Sequence, residues 1–193
     1  MTLIVDASAL YAGTDANDPN HQVVATLLRT EGSLVTSEAV ATEADHLVLT
    51  RLGIDVELQF LDDLAEGALA VECLGLSELR LARDVARQYR DLELVARRRS
   101  SSDAGTHLHP ASRRCSSLTD GPVCALLAPC EAGAAAPQHS KDLCDRPLGL
   151  GDASLIVLAH RFHTRRVASF DHRCFRMVEP LQGGAFTVLP ADG

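Results

Sequence analysis

No stretch of this 193-residue chain stays apolar for the ~20 residues a helix needs to cross a bilayer, so a helical membrane protein is not expected. Nor does its start read as a leader. The first residues run straight into Thr2-Leu-Ile-Val-Asp6, with no basic segment and no small-residue cleavage site, and the expectation is a soluble, cytoplasmic protein. Positive charge is scarce: the formal net charge is −8, and Lys141 is the single lysine. A general electrostatic grip on nucleic acid is therefore not expected, because phosphate binding is driven by Lys and Arg. A local one stays open, since acids that hold a divalent ion contribute to such a balance and the ion itself can meet a phosphate. No two of the six cysteines stand in Cys-x-x-Cys spacing, and they read as reduced thiols.

What is present suffices for one domain: a 46% hydrophobic content at this length allows a proper core. Residues 2–5 are a β-branched, apolar run closing on Asp6, the pattern of a buried parallel strand, and a helix is expected directly after it. Asp18-Pro19 supplies an N-cap and a proline at the first helical position, opening a helix through Val23, Val24, Leu27 and Leu28 toward Gly32. A second strand is expected at Leu34-Val-Thr36. From Ser37 a long helix carries Val40, Ala44, Leu47, Val48 and Leu52 at spacings of three and four and stops at Gly53. Glu43 shares the face of Val40 and Leu47, so it is expected to point inward.

Further along, the pattern predicts a helix over 55–66, a strand over 68–72, and a helix from Ser77 with Leu81, Val85 and Tyr89 on one stripe. Gly151-Asp152 opens another helix, Arg166–Phe170 reads as a fourth strand ending at Asp171, and Phe186–Leu189 as a fifth. Strands alternating with helices predict an α/β fold, in which ligands bind at the carboxyl ends of the strands.

Residues 94–147 break the pattern. Hydrophobic periodicity vanishes over these 54 residues, which hold five of the eight prolines and four of the six cysteines. Their formal charge of +2 (six Arg and one Lys against four Asp and one Glu) leaves −10 for the rest of the chain. Composition and length read as a low-complexity, disordered insertion. Two other readings stay open: a zinc-binding insert drawn from Cys115, Cys124, Cys130, Cys144, His107, His109 and His139, and a basic RNA-binding arm around Arg97–Arg99 and Arg113-Arg114.

Four acids carry the chemistry: Asp6, Glu43, Asp152 and Asp171 each lie at the end of an apolar strand or within an apolar helix. A carboxylate is costly to bury there unless it is paired or binds a cation. Singly, each has an ordinary explanation: a helix N-terminal acid for Asp152, strand-end turns for Asp6 and Asp171, a wet helix edge for Glu43. Those explanations do not predict four acids at one sheet edge. The histidines at 21, 46, 160, 163 and 172 read as surface or helix-face residues, and Arg165, Arg166 and Arg173 as either phosphate contacts or solvated charge.

With residues 94–147 set aside, Ile4-Val-Asp-Ala-Ser-Ala-Leu10, Val40-Ala-Thr-Glu-Ala-Asp-His-Leu47, Leu150-Gly-Asp-Ala-Ser-Leu155 and Val167-Ala-Ser-Phe-Asp-His-Arg-Cys-Phe175 together resemble a PIN-domain ribonuclease, a VapC-type toxin of bacterial toxin–antitoxin pairs. The tail Gly183-Gly-Ala-Phe-Thr-Val-Leu-Pro190 is similar to the closing strand of such toxins. The resemblance covers 1–93 and 148–190. It implies a single PIN domain from 1–93 and 148–193, a three-layer α/β/α fold around a mostly parallel sheet of four to five strands.

It also implies a metal-dependent endoribonuclease in which Asp6, Glu43, Asp152 and Asp171 surround Mg²⁺ or Mn²⁺. Asp6 and Asp152 would be direct ligands, Asp171 would complete the shell or act through water, Glu43 would orient or deprotonate water, and Ser8 would hydrogen-bond a carboxylate or water. RNA would be the substrate, a cognate antitoxin the inhibitor, and the assembly a homodimer. Two alternatives remain: an impaired PIN-fold protein that binds antitoxin or RNA without cutting, and a haloacid-dehalogenase-like phosphatase. Asp6-Ala-Ser8 lacks the second aspartate such phosphatases carry, and no suitably placed lysine exists.

Overall fold

The apolar run Thr2–Val5 forms β1, the central strand of a five-stranded sheet in which every pairing is parallel and the order is β3-β2-β1-β4-β5. The computed structural model describes residues 1–100 and 148–193, and the side chains of 1–89 and 148–193. The other strands are β2 (Ser33–Ser37), β3 (Ala70–Glu72), β4 (Arg166–Ala168) and β5 (Thr187–Leu189). Leu3, Ile4, Val5, Val167 and Val188 have no exposed surface, as expected where helices cover both faces of a parallel sheet.

Seven helices complete the described chain: α1 (Ala7–Thr14), α2 (His21–Thr30), α3 (Glu38–Leu52), α4 (Ile54–Ala65), α5 (Leu76–Ser100), α6 (Leu150–Arg161) and α7 (His172–Met177). Helices α1–α4 pack on one another, as do α5 and α6; because parallel crossovers are right-handed and the chain steps from β1 out to β3 before returning to β4, the two groups belong to opposite faces of the sheet. The result is the expected α/β/α layering. α6 is the core's largest contributor, with every residue from Ala153 to Ala159 buried and Leu155, Ile156 and Leu158 fully so; each such side chain is worth roughly 1.5–3 kcal/mol. None of the described helices is long and apolar enough to cross a membrane.

Local chemistry explains the boundaries. The Ser37 hydroxyl accepts the Val40 amide at 3.1 Å and caps α3, which ends at Gly53 with φ +90°, a conformation natural only to glycine. The expected cap at Asp18-Pro19 is displaced. Asp18 spends its carboxylate on the Asn20 amide at 2.7 Å, its carbonyl takes the His21 amide at 3.0 Å, and α2 begins two residues later than a cap at Asp18 would place it. Helix α5 continues past Glu93 to Ser100. The expected disordered insertion at 94–147 therefore begins no earlier than 101, and Arg97–Arg99 of the basic-arm reading belong to α5; residues 101–147, with the zinc reading, Arg113-Arg114 and the rest of the insertion, lie outside the described residues.

Two further corrections bear on the acids. β4 ends at Ala168, because Asp171 caps a helix of its own, α7, that the sequence pattern does not reveal. Glu43 is exposed and does not point into the core: the buried stripe of α3 runs through Val40, Ala41, Ala44 and Val48, and position 43 falls beside it.

Candidate active site

In an open parallel sheet the ligand crevice lies outside the carboxyl ends of the strands, where the strand order reverses. Here the order reverses between β1 and β4. Asp6 leaves β1 at that point with its amide on the Ala168 carbonyl at 3.0 Å, which sets it beside the segment Ser169–Asp171.

Asp6 is 9% exposed and sits where an N-cap for α1 would be, yet its side chain does not cap the helix. Its Oδ2 instead accepts two hydroxyls, from Ser8 at 2.7 Å and from Ser169 at 2.8 Å. Each hydroxyl is aimed by the backbone: Ser8 Oγ accepts the Phe170 amide at 3.0 Å and Ser169 Oγ accepts the Asp171 amide at 2.9 Å. Two relays therefore tie the end of β1 to the loop carrying Asp171. Burial still pushes the Asp6 carboxyl above the usual range, against the pull of both donors, with the Asp171 charge adding to the rise.

Ser8 stands where the sequence reading put it, next to a carboxylate. Ser169 was missed, although a signal exists: Asp6-Ala-Ser8 and Ser169-Phe-Asp171 pair a serine and an acid at the same spacing in opposite order, at two strand ends.

Asp171 is partly buried, and its Oδ1 accepts the Cys174 amide at 3.1 Å. Asp152 lies in the first turn of α6 with Oδ2 on the Gly149 amide at 3.1 Å, so it is a helix N-terminal acid. It is more than that. Burial lifts its pKa to about 6, and the charges of Asp6, Asp171 and Glu43 all add to the lift. Glu43 reaches the group from the wet rim, where a Cβ on Gly151 would come within 3.3 Å of its Oε2. All four acids thus share one electrostatic neighbourhood.

Among the described residues, none of the ion pairs involves any of the four. Arg166 grips Glu31 through both guanidinium nitrogens at 2.6 and 2.7 Å, and Arg165 precedes it, so both stand at the amino edge of the sheet, opposite Asp171. Arg173, exposed on α7, is the member of that trio on the carboxyl side. His46, His160 and His163 are exposed, as expected.

A carboxylate-only donor set with uncompensated, desolvated charge fits a hard divalent cation such as Mg²⁺ or Mn²⁺. No three His, Cys, Asp or Glu among the described residues are gathered closely enough to ligate one ion together. Mg²⁺ does not require three, since it is usually held through one or two carboxylates and keeps several waters.

No family model matches the chain. In sequence it is similar to Ribonuclease VapC26 of Mycobacterium tuberculosis (strain ATCC 25618 / H37Rv), with 29% identity over 189 residues, 97% of this chain and 100% of the relative. In fold it is similar to the crystal structure of Mycobacterium tuberculosis VapC20, described there as a Sarcin-Ricin loop cleaving toxin. That match has a TM-score of 0.50 and 14% identity and covers 89% of this chain and 92% of the other. At that identity it speaks for the fold alone.

Proposed function

We propose, from its similarity to a VapC ribonuclease over nearly its whole length, that the chain is a PIN-domain protein of the VapC type and a metal-dependent endoribonuclease toxin. It would cleave RNA phosphodiester bonds in the cytoplasm, act as a homodimer of single PIN domains, and be neutralised by a cognate antitoxin protein. The observation that carries this reading is the convergence of Asp6, Glu43, Asp152 and Asp171 on one strand-order crevice, with no cation among the described residues paired to them. Asp152 follows directly on the foreign-looking segment yet still feels the other three acids, which favours a working site over an impaired one.

Asp6 and Asp152 would hold Mg²⁺ or Mn²⁺ directly, with Asp171 acting through a metal-bound water. When bound, such an ion lowers the pKa of a water for attack and stabilises charge on the leaving oxygen. The chain's own residues do the rest. Ser8 and Ser169 fix Asp6 by donating to Oδ2, so Oδ1 takes neither hydroxyl. The Gly149 amide fixes Asp152, and the Cys174 amide fixes Asp171. Glu43, the exposed member, keeps access to water and would orient or deprotonate the attacking one.

The test is cleavage of an RNA pool, with Mg²⁺ and with chelator, by the intact chain, by Asp6→Asn, and by a chain lacking 94–147. Metal-dependent cleavage by the intact and shortened chains and none by Asp6→Asn is expected. Activity in the shortened chain alone would mean a disabled toxin. Activity surviving Asp6→Asn would sink the site assignment.

Gly151→Ala gives a finer check on Glu43. A methyl group there meets Val40 Cγ2 at an ordinary 3.5 Å but presses on the exposed Glu43 carboxylate at 3.3 Å, which yields. Alanine favours the helix by up to ~1 kcal/mol, so the melting temperature should hold or rise while kcat falls roughly tenfold from the displaced acid. An unchanged kcat would remove Glu43 from the chemistry.

A further inference from the structure

Helices α3 and α6 lie on opposite faces of the sheet and meet at its carboxyl edge, each bringing one acid to the crevice: Glu43 from α3, Asp152 from α6. What holds them in register there is a pair of hydroxyls in the core. Ser37 Oγ and Ser154 Oγ are 2.6 Å apart, and the two residues are 1% and 0% exposed. Ser154 donates to the Gly151 carbonyl at 2.5 Å, which leaves the hydrogen between the two oxygens to Ser37. Ser37 in turn accepts the Val40 amide at 3.1 Å, so one chain of hydrogen bonds runs from the first turn of α3 to the first turn of α6.

Neither serine touches the four acids, and the mechanism does not use them. Both stand within a turn or two of an acid, however: Ser154 is two residues from Asp152, and Ser37 begins the helix that carries Glu43. The contact they lock is tight. A Cβ on Gly151 would stand 3.3 Å from Glu43 Oε2 and in ordinary contact with Val40 Cγ2 at 3.5 Å, and it is the Gly151 carbonyl that Ser154 holds.

We propose that the Ser37–Ser154 hydroxyl pair is a positioning device that sets the separation of Glu43 and Asp152 across the α3–α6 contact, so that both face one metal–water unit. The proposal rests on the ribonuclease reading of the site. It predicts that Ser154→Ala, in the full chain, lowers kcat about tenfold with KM within about twofold and weakens Mn²⁺ binding several-fold, because small displacements of reacting groups are costly to the chemical step.

Lost stability alone would look different, and Thr164→Val supplies the comparison. Thr164 is also buried, at 8% exposed, and its hydroxyl donates to the Thr2 carbonyl at 2.8 Å at the opposite edge of the sheet. Mn²⁺ titration of the metal-free proteins, melting temperatures, and kcat and KM well below melting are measured for wild type and both variants. Both should melt earlier, with Mn²⁺ affinity and kcat falling in Ser154→Ala alone. Equal, unaltered affinity and kcat in the two variants would overturn the positioning role and leave the ribonuclease reading intact. A wild type that neither binds Mn²⁺ nor cleaves RNA would overturn the reading itself, and this proposal with it.

Discussion

Asp152→Asn is expected to raise the melting temperature of the metal-free protein while cutting RNA cleavage by on the order of a hundredfold or more. The two effects share one cause. At neutral pH the Asp152 carboxylate is ionised in a place that disfavours ionisation: burial first, then the charges of Asp6, Asp171 and Glu43, hold its pKa at about 6 against an ordinary 3.8. A shift of about two pH units is worth at most about 3 kcal/mol, and the partial exposure of the side chain reduces that to roughly 1–2 kcal/mol, several degrees at this size.

Asparagine removes the charge and keeps an oxygen for the Gly149 amide, so the first turn of α6 stays capped. What it cannot supply is the negative ligand. Differential scanning calorimetry without metal and a cleavage assay with Mg²⁺ read the two arms separately. A variant that melts earlier than wild type would mean the electrostatic strain is not there, and one that cleaves normally would mean Asp152 is not a ligand. Adding Mg²⁺ should close the stability gap, since an ion that binds the native state alone stabilises it by mass action, and wild type has the better site.

The sequence made the architecture legible because its buried strands carry little besides β-branched and apolar residues: Leu3-Ile-Val5 and Val167-Ala168 cannot be read as a solvated helix. Helix α7 was not legible, since six residues are too short for the 3.6 period to establish itself and the capping acid, Asp171, looks like a strand end. Glu43 was misjudged for a related reason. A spacing of three from Val40 puts it next to the buried stripe, and only the packing of α6 against α3 decides which side of that boundary faces water. Asp6, Asp152 and Asp171 could be picked out one by one as costly acids. Their convergence could not be read locally, because it depends on β4 lying against β1, a pairing between residues more than 160 positions apart. The Ser37–Ser154 pair was hidden for the same reason: a serine announces no partner until the elements that carry the two are packed together.

Metal binding should be strongly pH-dependent around pH 6, and the stability of the metal-free protein should move in the opposite direction. For Asp152 the sign follows from a folded pKa of about 6 that lies above the unfolded value near 3.8. The folded state therefore binds more protons than the unfolded one across that interval, and the metal-free protein gains stability as pH falls from about 7 toward 4. Asp6, whose carboxyl is also pushed up by burial, adds to the same trend. A cation needs the ionised carboxylate, so protons compete with it over the same interval, and apparent Mn²⁺ affinity should drop about tenfold per pH unit below pH 6 through Asp152 alone. Melting curves with and without Mg²⁺ at pH 5 and pH 7.5 test both halves at once. A large Mg²⁺-induced rise at pH 7.5 and little or none at pH 5 is expected. In Asp152→Asn the metal-free melting temperature should depend less on pH, because the group that titrates is gone. Equal metal stabilisation at both pH values would show that the ion is not held by carboxylates whose ionisation is suppressed, and the four-acid site would then have to be abandoned.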